Sequence, residues 1–245
     1  AIRTIQLHQG KAIYGVGGGI TWDSTWESEY REVHQKAAVL YRKQARFKLI
    51  TTGRISQKQL LFEDQHLERL TKASRYFAYP FDPEELRQKI EEECRACASH
   101  QDYRLRISLS KSGEIELSRQ ILTPLSPSFC KAKLCLQEAD LNQAFTYFKT
   151  THRPHLSLGK QEIIYHNAAG ELLETSIGNL VLKIDGKLYT PPINLGILSG
   201  IYRQHLLGKG QVEEKILTLA DLNQAEAVYG CNAVRGLYEL LLKEK

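Results

Sequence analysis

The stretch LTPLSPS at residues 122–128 constrains this chain more than any other segment. Two prolines and three hydroxyl residues in seven positions interrupt helix and central strand alike, so the chain must be organised around a linker there. Before it, FKLITTGRI reads as a strand and turn and continues through KQLLF. A helix follows over about 64–77, with Leu67, Leu70, Ala73 and Phe77 on one stripe. FDPEEL opens a second helix, with Asp82 as N-cap, Pro83 at the first position and Glu85 able to reach back. Leu86, Ile90, Cys94 and Cys97 continue its apolar face. YRLRISLS and EIELSRQIL then form a hairpin around Lys111-Ser112-Gly113. Residues 46–121 therefore make a small α+β domain.

After the linker, residues 129–245 read as a larger, β-rich domain. Short strand patterns recur at KAKLCL, EIIYH, NLVLKI, KLYT and EAVYG, with turns at Ala169-Gly170 and Asp185-Gly186, and a short helix is expected from Gly200. The head, residues 1–45, stands apart. RTIQL and KAIYGV are strand-like around Gln9-Gly10, and the glycines at 17–19 break the chain. A helix runs from about Thr25 to Arg42, with Ser24 or Thr25 as N-cap and acid in its first turns.

The chain has 245 residues, 42% hydrophobic and 25% charged, as in an ordinary globular protein. Its net charge of +5 is spread along the sequence, which argues against a nucleic-acid surface. No apolar run reaches membrane-spanning length, and Ala1 does not begin a signal peptide. Five cysteines without a secretion signal favour reduced thiols and a cytoplasmic setting. Cys94 and Cys97 form a CxxC with no second pair at zinc spacing, so packing is the expected role.

The chemistry concentrates between Lys149 and Arg203, where KTTHRP, ELLETSIGN, TPP and GILSGIYR follow one another. A partly buried lysine loses its proton cheaply and becomes a nucleophile. A carboxylate before a small polar turn can hold a ring nitrogen, and a glycine opening a helix can receive a phosphate. These are the parts of a pyridoxal 5'-phosphate (PLP) site. In this order they resemble the fold-type IV PLP enzymes, and KTT-x-RP most resembles the aminodeoxychorismate lyases among them, over roughly residues 46–245. The resemblance implies a two-domain α+β fold like that of D-amino acid aminotransferase. It makes Lys149 the catalytic, cofactor-bearing lysine and Glu174 the partner of the ring nitrogen. Spacing to Asn179 favours Glu174 over Glu171. Gly200, with the amides of Ile201 and Tyr202, is expected at the phosphate together with Arg69 in HLERL. Asn232 in GCNAVRG belongs to a closing loop. Thr51, Arg153 and Arg235 are weaker candidates for contact with a small-molecule substrate. Two departures bear on that pocket: FKLITTGR places Thr51 or Thr52 where the family has a glutamate, and the stretch from His155 to Glu162 is short.

The head resembles a different family. RTIQL, GVGGGI and ESEYREVHQKA are similar to the C-terminal tail of the chorismate-binding synthases, aminodeoxychorismate synthase component I among them. That likeness implies chorismate contacts at Arg3, Gly17, Gly19 and Lys36, and magnesium ligands at Glu29 and Glu32 in an intact synthase. Here the region is read as vestigial, with no metal held by this fragment. The two resemblances together imply a piece of a bifunctional fusion in folate biosynthesis. Its activity would be conversion of aminodeoxychorismate to 4-aminobenzoate and pyruvate. Expected partners are a second copy of the chain, the rest of the synthase and a glutamine amidotransferase subunit. The competing reading is a fold-type IV aminotransferase acting on D- or branched-chain amino acids, and a third is a PLP-less scaffold for the synthase.

Overall fold

A computed structural model of the chain describes residues 4–41, 45–137, 143–157 and 159–242. Two compact units divide between Arg46 and Phe47.

In the first unit, β1 (Ile5–His8) and β2 (Lys11–Tyr14) form an antiparallel hairpin. Its turn residues Gln9 and Gly10 both take positive φ (48° and 75°), which matches strand twist. α1 (Trp26–Tyr41) starts at Thr25, whose Oγ1 accepts from the Ser28 amide (3.3 Å) while Ser28 Oγ accepts from the Thr25 amide (3.2 Å). This reciprocal cap uses serine in the place where a capping box more often has an acid. α1 buries no residue. The glycine run lies against its polar face: Lys36 donates to the Gly17 carbonyl (2.9 Å) and pairs with Glu32. A Cβ on Gly18 would come within 3.0 Å of Glu29 Oε2. Glu29, Glu32 and Lys36 therefore do gather at the glycines. A Cβ on Gly17 or Gly19 would meet nothing within 4 Å, and Arg3 and Arg42 lie outside the described residues.

The second unit contains two sheets. The smaller joins β3 (Leu49–Ser56), β4 (Gln59–Leu60), β5 (Tyr103–Leu109) and β6 (Ile115–Ile121) in the order β4-β3-β5-β6. Helices α2 (Glu63–Phe77) and α3 (Pro83–Arg95) cover one of its faces. Leu67, Leu70, Leu86 and Ile90 from the helices pack on Leu49, Ile55, Leu105, Ile107 and Leu109 from the strands. Each such side chain contributes about 1.5–3 kcal/mol by leaving water. Asp82 caps α3 by accepting from the Glu84 amide (2.9 Å), with Pro83 following. Because side chains alternate along a strand, Ile50, Thr52, Arg104 and Arg106 occupy the opposite face of this sheet.

The larger sheet comprises β7 (Lys131–Leu136), β8 (Ile163–His166), β9 (Leu172–Thr175), β10 (Asn179–Ile184), β11 (Lys187–Thr190), β12 (Glu213–Glu214), β13 (Ala227–Asn232) and β14 (Gly236–Leu242). Its order is β12-β11-β10-β13-β14-β7-β8-β9. β9 also pairs with β10, at Glu174 opposite Asn179, so six of the strands close into a ring. Ile164, Leu172, Leu180, Leu182 and Leu240 fill one core of this region. Helices α5 (Ile201–Gly208) and α6 (Leu219–Gln224) accompany it, whereas α4 (Gln143–Tyr147) sets Phe145 against Phe47 and Phe77 beside the smaller sheet's core. β9, β12, β14, α4 and α6 are not legible as elements from pattern alone, whereas α5 begins where Gly200 predicts.

Candidate active site

After α4 the chain runs beside β3. Ile50 donates its amide to the Lys149 carbonyl, and Thr151 donates to the Lys48 carbonyl, each at 2.9 Å. The Lys48 amide in turn donates to Thr151 Oγ1 (2.9 Å). This short pairing fixes the backbone, and Lys149 enters a cavity of about 490 Å³ that it helps to line. Burial lowers the Lys149 amine to about 7, reinforced by the nearby Arg69 and Arg153 charges and opposed by Glu174. A lysine in this state is neutral in a large fraction of molecules at pH 7, as a nucleophile must be.

Glu174 and Asn179 meet at the closure of the ring. Glu174 is 3% exposed, and burial pushes its carboxyl upward while Arg153 holds it down. Its Oε1 accepts from Arg153 Nη2 (3.1 Å) and from the Leu198 amide (3.4 Å). Arg153, expected at the substrate, is thus engaged with the cavity's carboxylate. Asn179 Nδ2 donates to the Leu198 carbonyl (2.8 Å), so both residues hold one turn. Buried Glu162 supports the intervening loop, accepting from Ser176 Oγ (2.6 Å) and the Ile177 amide (3.1 Å). Glu171 is bonded to Asn167 Nδ2 (2.6 Å) and is not among the lining residues.

The turn leads directly into α5. Gly200 is its N-cap, and a Cβ there would collide with Asn179 Oδ1. Gly200 and Ile201 line the cavity, so the positive end of the helix faces it. Arg69, from α2, reaches the same place and donates to the Ser199 carbonyl (2.6 Å). Burial and the Arg153 charge lower the Arg69 guanidinium to about 10. The Tyr202 side chain turns elsewhere, packing on Phe62 and His205, because successive helical residues project about 100° apart.

Asn232 ties the loop between β13 and β14: its Oδ1 accepts from the Val234 amide (3.0 Å) and the Arg235 amide (2.9 Å). Arg235 lines the cavity and donates to the Thr123 carbonyl. Thr51 is a correction. It shares the helix-facing side of β3 with Leu49 and Ile55, is fully buried, and bonds His66 Nδ1 at 2.6 Å. Thr52, its neighbour, lines the cavity instead. Arg104 and Arg106 also line it, outside the sequence motifs that mark the other site residues. Their signal was present, since arginines two apart in a strand share a face.

The donor set fits PLP: a neutral-capable amine, one buried carboxylate, and an arginine beside a helix N-terminus whose glycine permits close approach. Fold and site together define a mixed α/β enzyme of fold-type IV. The chain matches the amino-transferase class IV family over residues 48–240, and it belongs to that family. Residues 1–42 match the chorismate binding enzyme family. Aminodeoxychorismate lyase of Saccharomyces cerevisiae is 28% identical, over 59% of this chain and 53% of that protein. The chain thus spans about half the length of that relative. A Schizosaccharomyces pombe protein provisionally named aminodeoxychorismate lyase is 26% identical, over 72% of this chain and 82% of its own. Among solved structures, a provisionally named amino-acid aminotransferase from Mesorhizobium loti has a TM-score of 0.69 at 29% identity, covering 80% of this chain and 99% of the other.

Proposed function

We propose that this chain is a PLP-dependent lyase that converts 4-amino-4-deoxychorismate to 4-aminobenzoate and pyruvate in folate biosynthesis. The observation that carries the reading is the meeting of Lys149, Glu174, Arg69 and the start of α5 in one cavity, in a chain whose head matches a chorismate-binding family. Names of the two yeast relatives support the substrate.

When bound, PLP supplies an aldehyde for amine exchange and a ring that accepts electrons. Lys149 Nζ would hold that aldehyde and, as a neutral amine, would accept the proton from the carbon bearing the substrate amine. Glu174 would hold the ring nitrogen protonated, with Arg153 and the Leu198 amide orienting its carboxylate. Arg69, Gly200 and the first amides of α5 would receive the phosphate. Asn232 shapes the loop over the cavity. Loss of the enolpyruvyl group as pyruvate leaves an aromatic ring, which makes the step irreversible.

The same lysine and glutamate would serve an amino-acid aminotransferase, a reading that the Mesorhizobium loti structure favours. Incubation with aminodeoxychorismate separates the two. Pyruvate and 4-aminobenzoate in equal amounts support the lyase; exchange of an amine with an added keto acid and no pyruvate overturns it.

The wider setting belongs to the same proposal. The small domain, 46–121, and the larger one, 129–245, would hold the cofactor jointly, since residues of both ranges line the cavity. Exposed Leu134 and Leu136 on β7 offer a face for a second copy. The head would belong with the rest of a fused synthase, served by a glutamine amidotransferase. A cytoplasmic setting accords with five free cysteines, and no helix among the described residues is long and apolar enough to cross a membrane.

A further inference from the structure

The turn from Glu174 to Asn179 joins two residues of the site and supplies Ser176, Ile177 and Gly178 to the cavity wall. Glu174 and Asn179 stand directly opposite one another where the ring of strands closes. From inside, the turn is closed by its own atoms. The Thr175 amide donates to the Gly178 carbonyl (2.9 Å), and the Gly178 amide donates to Thr175 Oγ1 (3.0 Å). From outside it rests on Glu162.

Glu162 is fully buried, and neutral donors converge on it. Ser176 Oγ (2.6 Å) and the Ile177 amide (3.1 Å) donate to Oε1, and the Tyr238 hydroxyl donates to Oε2 (3.2 Å). Burial pushes the carboxyl up, and these bonds oppose the rise. Its backbone is fixed too, the amide donating to the Phe129 carbonyl (2.9 Å) and the carbonyl accepting from the Lys133 amide (3.0 Å). Tyr238 lies in a slot made by two glycines. A Cβ on Gly230 would come within 2.5 Å of its ring, and one on Gly178 within 3.2 Å of its hydroxyl. A carboxylate so far from water costs more than an apolar side chain of similar size. An apolar side chain, however, could accept neither bond from the turn.

We infer that Glu162 is a positioning residue, which through Ser176 and the Ile177 amide aims the Glu174 carboxylate at the cofactor's ring nitrogen. The inference rests on the reading of Glu174 as that nitrogen's partner. The test uses the chain loaded with PLP labelled at the ring nitrogen, read by nitrogen NMR beside turnover of aminodeoxychorismate. Glu162→Leu is expected to keep PLP bound, move the signal from the pyridinium range toward neutral pyridine, and lower kcat by about a hundredfold with KM within about threefold, the scale of a reacting group displaced by an ångström. Glu162→Gln still accepts from Ser176 and Ile177, and should recover about tenfold or more of that loss. Tyr238→Phe removes only the bond to Oε2 and should lower kcat by about threefold, so it decides the matter if Glu162→Leu does not fold. An unmoved nitrogen signal in the folded variants, or a change in KM alone, overturns the positioning role. Loss of PLP overturns it as well and assigns Glu162 to cofactor retention. A Glu174→Ala variant whose signal stays in the pyridinium range would instead remove the reading of Glu174 itself.

Discussion

The two units of this chain carry equally readable motifs and differ in everything that turns a motif into a site. In residues 47–242, each candidate residue is held by a second one: Lys149 by β3, Glu174 by Arg153 and Leu198, Gly200 by Asn179, Asn232 by its own loop. Beneath them lie cores in which Leu49, Ile90, Leu105 and Leu180 are wholly buried. In residues 4–41, Glu29, Glu32 and Lys36 do meet the glycines, yet α1 buries nothing and Trp22, Ile20 and Leu7 stay open to water. Spacing along a helix brings charges together locally. Holding them against water and thermal motion takes a packed layer behind them.

That contrast can be broken first at Lys149. Lys149→Ala is expected to lower turnover by about four orders of magnitude or more, since nucleophile and base are lost together. The borohydride-fixed pyridoxyl mass should vanish with it; recovering that mass on Lys131, Lys133 or Lys160 would remove the assignment. Glu174→Ala should keep PLP bound and slow proton abstraction by on the order of a thousandfold, the scale of losing one preorganised electrostatic group. Glu171→Ala should do little, and equal effects at both would show that the turn had been misread. Gly200→Ala comes next. The collision with Asn179 Oδ1 should destabilise the fold by about 1–3 kcal/mol and weaken PLP retention, read by thermal denaturation with and without cofactor.

A smaller effect lies in pH. The folded Lys149 amine titrates near 7 and an ordinary lysine near 10.5. Below about 7 both states are protonated and the burial penalty is fully present; as pH rises from there toward 10 the unfolded chain binds more protons, so stability of the cofactor-free protein increases. Lys149→Met should flatten this rise, and an equal slope in both proteins would contradict the assignment. The smallest effect is expected from the head. Removing residues 1–46 should leave the melting temperature of the remainder within about 2 °C, as for changes away from a core. Micromolar chorismate binding with Mg²⁺ that is lost in a Glu29→Ala, Glu32→Ala double variant would instead make the head a working site.

Much of the molecule is legible in the sequence because it is local. The apolar stripes of α2 and α3, the caps at Asp82 and Gly200, and the hairpin turns each depend on neighbours within a few residues. β9 escapes the pattern because LLET is buried on both faces and so lacks alternation. β14 escapes it because its strand neighbours β13 and β7 include one about a hundred residues away in sequence. At the site, Lys149 and Glu174 announce themselves by their surrounding motifs. Choosing Thr52 over Thr51, or noticing Arg104 and Arg106, requires knowing which face of β3 and β5 the helices cover.

The lysine's backbone anchorage has a bearing on how such sequences diverge. Lys149 is fastened upstream, to β3, while the residues after Arg153 lead away to β8. Shortening or lengthening the stretch between His155 and Glu162 therefore changes the route of the chain without moving the reactive amine. Insertions and deletions can accumulate there and reshape one wall of the pocket while the chemistry stays in place. A lineage could in this way trade one substrate for another by altering loop length alone.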